Sequence, residues 1–506
     1  AKKWIGPDTR VIKLDGKAVL PGLHDCHDNL VDGGVNLNEC NLNEVKSVEK
    51  VLSIVESYAR SHPDKKWITG AGWSLALFEN GCPTKELLDK IVPDRPVCLA
   101  SQDYHSAWVN TKALELAGIT SETENPRGGI IEKTDGQPNG TLRESAIDLV
   151  SRLAPKSTLE EHLKGLRRAQ KLANQLGITS IQDALVNNMI FDAYNTLSEN
   201  GELTVKVAGA IRIDPDEDDK KQVRAIEELR KKIKGDRFRI TSAKLFMDGV
   251  IEAKTAALID SYNDEKKSNG LVLFEADRLK KLVSLLESKN IQVHVHAIGD
   301  KAVKETLDAF ENCDHPERTS KLRNHIAHLE LVDAKDRARF QKLNVGATIQ
   351  ALWAHRDDYV SKLTEPVLGG ERSKGIYPIR GLFDANARLV GGSDWPVSSL
   401  NPFHAMEVAV RRCPPGGKDS SVWLPQERVP LRGMLEAYTI NGAYTNHQDE
   451  RTGSIEPGKA ADLIVLDKDP FGVPAHKIHD LKVLLTLLDG KEVYREEGFL
   501  EKESLK

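Results

Sequence analysis

The chain has 506 residues, is 40% hydrophobic and carries a formal net charge of −5 spread over residues of both signs. That length and apolar content suit one large domain plus a smaller one. No basic patch interleaved with aromatics is present, so nucleic acid is not an expected partner; no apolar run is long enough to span a bilayer or opens the chain as a signal peptide would, so no membrane is expected either. The six cysteines, Cys26, Cys40, Cys82, Cys98, Cys313 and Cys413, show no CxxC spacing. That pattern suits a reduced compartment, and a cytoplasmic location is the expectation. The sequence starts only a few residues before an apparent strand, so an upstream strand or targeting segment is expected to be missing.

In chain order, residues 11–13 and 18–20 read as a short hairpin around Asp15-Gly16 and lead into PGLHDCHDN at 21–29. Strand alternation puts Asp25, His27 and Asn29 on one face of that run and His24 and Cys26 on the other. Residues 35–177 are mixed and too long for an ordinary connection. They include an amphipathic helix at 47–60, an apolar strand at 97–100, the segment HSAWVNTKALELAGI at 105–119, and a helix with Ser157 and Glu160 in capping-box register that stops at Gly177. This block is read as an insertion that walls a pocket.

A regular rhythm follows. Strands are expected at 178–185, 205–213, 238–246, 291–296, 324–331, 345–352 and 389–394, with helices at 218–234, 277–288 and 301–310, the last with Asp300 as N-cap, and a further helix capped by Asp333. With 18–23 counted first, eight strands alternate with helices or long loops, which argues for a parallel sheet closed into a barrel. Beyond a helical stretch at 430–439, the strands of GSIEPGKAADLIVLD and KVLLTLLDGKEVY would pair with the N-terminal hairpin. The expected organisation is a distorted (β/α)8 TIM barrel over 21–445 with a small β-sandwich from 1–20 and 446–506.

The carboxyl ends of barrel strands are where ligands gather. There the sequence places His27 and Asn29 on the first strand, Lys244 on the fourth, His296 on the fifth, His328 on the sixth and Asp394, within GGSDWP, on the eighth. Imidazoles and a carboxylate converging on one mouth form a metal site, and Zn²⁺ takes this N/O set. Asp394 is the expected general base for a metal-activated water, and His328 or His105 is expected to steady the oxyanion. His294 is read as packing or as a hydrogen-bond partner of a ligand, and His325 and His355 as structural or rim residues. His105 either meets substrate or makes a structural bond, and Trp73, Trp353 and Trp395 either line the pocket or pack.

The segments PGLHDCH (21–27), HSAWVN (105–110), GTLRESA (140–146), KLFMDG (244–249), HAIGD (296–300), HLELV (328–332), GGSDWPV (391–397) and TGSIEPGKAADLIVLD (452–467) resemble the amidohydrolase superfamily over essentially the whole chain. The likeness is to its YtcJ-like branch, which includes N-substituted formamide deformylases. It implies hydrolysis of a carbon–nitrogen bond of a small molecule, with one or two divalent ions, zinc being the ion expected, and Lys244 carboxylated by CO₂ to bridge two metals. One departure stands out: the family's His-x-His on the first strand is His27-Asp28-Asn29 here. A competing reading is therefore a catalytically weakened barrel that binds a small molecule or partner without turnover. A homodimer is the default expectation for an enzyme of this size.

Overall fold

In the computed structural model, which describes residues 5–6, 9, 11–263 and 267–499, the expected alternation of strands and helices closes on itself. β1 (Ala18–Pro21) is followed at once by β2 (Leu23–Asp28). The long early segment supplies β3 (Cys40–Asn41), β4 (Ile68–Trp73), β5 (Val97–Ser101), β6 (Ser106–Val109), β7 (Gly129–Thr134) and β8 (Gln137–Glu144). Next come β9 (Ile178–Val186), β10 (Lys206–Arg212), β11 (Phe238–Phe246), β12 (Gln292–Ala297), β13 (His325–His328), β14 (Gly346–Ile349) and β15 (Arg388–Gly391). The chain then adds β16 (Leu463–Leu466), β17 (Val483–Leu488) and β18 (Lys491–Arg495).

β2 and β9 to β15 form one eight-stranded parallel sheet in the order β15-β14-β13-β12-β11-β10-β9-β2. Its two edges meet just beyond the strand ends, where Asp394 N–H donates to His27 O at 2.7 Å and Asn29 N–H donates to Trp395 O at 3.0 Å. The result is a nearly closed, distorted (β/α)8 barrel. β1 pairs antiparallel with β16, so the small sheet β1-β16-β17-β18 is built from both ends of the chain.

β12 shows why the strands face as they do. Val293 and Val295 are fully buried between the barrel and its helices, and their alternation turns His294 and His296 to the other face, into the lumen. The flanking helices Ala276–Ser288 and Asp300–Asn312 bury Leu279, Leu282, Val283 and Leu286, and Val303, Leu307 and Phe310. Each such side chain stabilises the packing by about 1.5–3 kcal/mol, so a one-residue slip that expelled them would be prohibitive.

Four local expectations need correction. The first barrel strand is Leu23–Asp28, because Ala18–Pro21 is drawn into the terminal sheet by β16. Residues 11–13 form no strand, so β1 has no hairpin partner there. The capping box is one residue further on, with Thr158 and Glu161 exchanging side-chain and backbone bonds. Gly299, not Asp300, is the N-cap of its helix; the Asp300 carboxylate instead accepts from Ile259 N–H at 2.9 Å, pinning a neighbouring loop.

The early segment forms a separate mixed sheet, β3-β4-β5-β6-β8-β7, with apolar clusters of its own. The turn between β5 and β6 carries His105, and the end of β8 carries Glu144. Thr255 Oγ1 donates to Glu144 Oε1 at 2.7 Å, tying this sheet to the loop after β11. Among the described residues, no helix is long and apolar enough to cross a membrane.

Candidate metal centre

β2 delivers His27 to the mouth of the barrel at 3% exposure, and Gly392 lets the opposite edge approach it: a Cβ on Gly392 would stand 2.7 Å from His27 Cβ. His27 Nδ1 lies 2.9 Å from His294 Nε2. In the tautomer with Nδ1–H donating, His27 Nε2 keeps its lone pair for a ligand, the arrangement expected where one imidazole orients another. That Nε2 is 3.5 Å from Asp394 Oδ1. The same oxygen accepts from Asn29 Nδ2 at 3.0 Å. Ligand atoms of His27, His328 and Asp394 all lie within 4.8 Å of one another, and all three residues are buried.

His328 packs at ring distances of 4.7 Å from His27 and 4.4 Å from His296. Trp353 stacks on it at 5.7 Å with an interplanar angle of 5°. His328 Nδ1 has no hydrogen-bond partner among the described residues. His296 is held from the far side: its Nε2 lies 3.1 Å from Gly249 O and 3.6 Å from Asp248 Oδ1. Asp248 accepts backbone N–H bonds from Ala257, Ile298 and Gly299, yet burial still pushes its carboxyl up to about 7. Backbone conformation helps to aim these groups. His328, Asp394 and Glu144 sit at φ 80°, 54° and 50°, a region that costs a side chain on the order of 1–3 kcal/mol and is characteristic of sites that a surrounding fold over-determines.

The electrostatics follow from burial. Desolvation holds the imidazoles of His27, His296 and His328 well below their ordinary value, with Lys244 and the crowding of imidazoles against one another adding to it, so all three are neutral and able to ligate. Burial lowers Lys244 to about 7, with Asp394 pulling the other way. Its amine has no hydrogen-bond partner among the described residues. Burial raises Asp394 to about 6, opposed by Lys244, His105 and the Asn29 bond. For His105, burial disfavours the cation, but Glu144 at 2.8 Å outweighs it and raises the imidazole to about 9.

Of the residues singled out in the sequence, the fold thus gathers His27, His328 and Asp394 most tightly, with Asn29 bonded to Asp394. His296 lies one ring further along, outside that group of three. His105 faces His296 at 5.4 Å between ring centres. Trp73 does not line this space: it is fully buried in the early segment, donates to Leu99 O at 2.8 Å and packs against Trp108 and Phe78. Trp395 packs on Gly33, where a Cβ would meet its ring at 2.1 Å. His325 bonds Thr348 Oγ1 at 2.8 Å, and His355 bonds Leu352 O at 2.9 Å. Cys26 faces Gly442 O on the outer side of β2. Asp248, Glu144 and Gln350 were given no role from the sequence. The first two lie inside KLFMDG and GTLRESA, so their motifs were the available signal; Gln350 had none.

The pattern of the family described as the amidohydrolase family matches residues 10–494. The chain belongs to that family. Protein LONG AFTER FAR-RED 3 of Arabidopsis thaliana is 30% identical over 97% of this chain and 85% of its own. The N-substituted formamide deformylase of Arthrobacter pascens is 26% identical over 97% of this chain and 91% of its own. An uncharacterized metal-dependent hydrolase from Pyrococcus furiosus superposes with a TM-score of 0.67 at 28% identity, covering 90% of this chain and 88% of that one. As an amidohydrolase-family barrel, the molecule carries its candidate His/His/Asp site at the strand ends, in the mouth closed by its first and last strands.

Proposed function

We propose that this amidohydrolase-family chain hydrolyses an amide-type carbon–nitrogen bond of a small molecule with the help of a divalent cation, zinc being the ion best suited to the donors. The observation that carries this reading is the convergence of His27, His328 and Asp394 within 4.8 Å, beside a buried lysine amine that has no hydrogen-bond partner among the described residues. The residues fit a cation: neutral imidazoles and a carboxylate are borderline-hard donors, and two of the buried polar atoms here, Lys244 Nζ and His328 Nδ1, have spare lone pairs when neutral. His27, His328 and Asp394 would hold it, with His296 and Lys244 alongside. Such an ion would polarise a carbonyl oxygen and bring the pKa of water to about 7.

The chain's own groups do the rest. Asp394, raised to about 6 and fixed by Asn29, is poised to accept a proton from water and return it to the leaving amine nitrogen. His105, oriented by Glu144, is assigned to the developing oxyanion. Lys244 has a large neutral fraction near pH 7, and only the neutral amine can add CO₂. That addition releases one proton and leaves an anionic carbamate among the imidazoles.

The test is elemental analysis of protein purified without chelator, followed by turnover of small amides. The expected outcome is at least one divalent ion per chain and hydrolysis that Asp394→Asn lowers by about 10²–10⁴-fold while retaining the metal. Full activity in metal-loaded Asp394→Asn would overturn the reading. Asn29 favours a second reading, a weakened barrel that binds without turnover, because an amide is a poorer zinc ligand than imidazole and here its nitrogen is turned onto Asp394. Asn29→His separates the two: a large gain in metal content and rate marks a damaged site, and no change marks an adapted one.

A further inference from the structure

Gln350 follows β14 immediately, its side chain 3% exposed, and neither its Nε2 nor its Oε1 has a hydrogen-bond partner among the described residues. Its position is set by its neighbours. A Cβ on Gly392 would stand 2.7 Å from His27 Cβ and 3.1 Å from Gln350 Nε2, so the amide lies at the seam between the last two strands, beside His27. The Gln350 side chain is close enough to His328 to act on it as a hydrogen-bond partner, opposing the effect of burial on that imidazole, although neither amide atom reaches full hydrogen-bond geometry with the ring. Trp353 N–H donates to Gln350 O at 3.0 Å. This bond starts the turn that lays Trp353 on His328, and it fixes the backbone from which the amide projects.

Packing does not account for such a residue. A buried amide that forms no bond costs stability that an apolar side chain of the same size would not. The same barrel shows the alternative at its other end. There Gln292 donates to Arg323 O at 2.7 Å and Thr445 O at 2.8 Å, and accepts from Ser242 Oγ at 2.6 Å. Gln292 is a structural glutamine with its capacity used. Gln350, among the candidate ligands, has a donor and an acceptor on one planar edge, neither in a bond of full geometry among the described residues.

We propose that Gln350 is a substrate-binding residue whose amide pairs edge to edge with the amide that is cut. Nε2–H donates to the substrate carbonyl oxygen, and Oε1 accepts the substrate N–H. This rests on the hydrolase reading above and narrows it. Only a group with C=O and N–H on the same edge uses both atoms: a primary amide, a lactam, a cyclic ureide, or an N-monosubstituted amide in its cis form. An N,N-disubstituted amide lacks the hydrogen and leaves Oε1 buried and unpaired, the kind of mismatch that gives strong discrimination.

The experiment compares the full-length wild type with Gln350→Leu and Gln350→Met, each assayed for metal content, for thermal unfolding without substrate, and for binding and turnover. The probes are two matched pairs, δ-valerolactam with N-methyl-δ-valerolactam and N-butylformamide with N-butyl-N-methylformamide. Both variants are expected to keep their metal and to unfold at the same temperature or about 1–3 °C higher. The wild type should favour the N–H member of a pair by about a hundredfold or more, and that preference should collapse in the variants. A fall in Tm in both variants shows that the protein itself already satisfies the amide and overturns the assignment. So does equal handling of N–H and N-methyl members, or failure of metal-loaded wild type to bind either. A chain that holds no metal yet keeps the N–H preference and the Tm pattern overturns the hydrolase reading alone and leaves Gln350 as an amide-binding residue.

Discussion

Two buried polar clusters in this molecule are built from similar residues and finished differently. At the barrel mouth, Lys244 Nζ, His328 Nδ1 and both polar atoms of Gln350 are buried without a hydrogen bond of full geometry among the described residues. On the helix Pro402–Arg411, Glu407 is also buried, but each of its oxygens accepts twice. Oε1 takes Arg411 at 2.7 Å and Gly416 N–H at 2.8 Å; Oε2 takes the His479 N–H at 2.8 Å and its Nδ1 at 2.6 Å. Buried polar groups are normally satisfied, so a cluster with its bonds complete stabilises the fold and one left open is reserved for something else. Burial opposes the Glu407 carboxylate, but these bonds outweigh it and hold it below its ordinary value. At the mouth nothing comparable opposes burial, and Lys244 and Asp394 move toward their neutral forms.

The contrast predicts opposite consequences for substitution. Asp394→Asn is expected to lower turnover by about 10²–10⁴-fold with little change in unfolding temperature, checked by steady-state kinetics and calorimetry on the same sample. Glu407→Ala should do the reverse. It takes from the buried Arg411 one of its two carboxylate partners, Asp419 remaining, and leaves the Gly416 and His479 N–H groups without their acceptor; the expected cost is about 1–3 kcal/mol of stability, read from urea unfolding, while activity per folded molecule is unchanged. Lys244→Met removes an unpartnered buried amine and should raise the stability of chelator-treated protein by about 1–3 kcal/mol, at the expense of metal retention. If that variant is less stable, the amine has a partner and the comparison loses its footing.

The smallest effect concerns pH. Because the folded value of Glu407 is depressed from 4.5, its contribution is present above the unfolded value and is lost as pH falls through the folded one. Wild-type stability should therefore drop more steeply below about pH 4.5 than that of Glu407→Gln, as followed by denaturant midpoints across an acid series.

Much of the site was legible because strand alternation is a local property. Period-two spacing alone turned His294 and His296 inward on β12 and separated His27 from His24 and Cys26 on β2. The eight-strand rhythm then put His27, His328 and Asp394 at one end of one barrel. What stayed hidden depends on which distant surfaces meet. The His294–His27 contact joins residues 267 positions apart, and the Glu407–His479 bonds join residues 72 apart. Gln350 is an ordinary polar residue after an ordinary strand until its surroundings show that nothing pairs with it. Competition misled the reading at the start of the chain. Ala18–Pro21 has the composition of a barrel strand, but β16 offers it an antiparallel edge, and the barrel begins only at Leu23. Trp73 looked equally suited to a pocket wall or a core, and the apolar cluster of the early segment claimed it.

The seam between β2 and β15 has a bearing on when the protein becomes competent during its synthesis. Asn29 and Asp394 are separated by 365 positions, and the backbone bonds that bring them together are also those that shut the ring. A nascent chain that has emerged only through β14 can fold an open sheet of seven strands, but it lacks the carboxylate and one wall of the ion's cradle. On the function proposed above, ion capture would wait until the last barrel strand leaves the ribosome. The order of translation would then guard a half-made barrel against premature loading with metal.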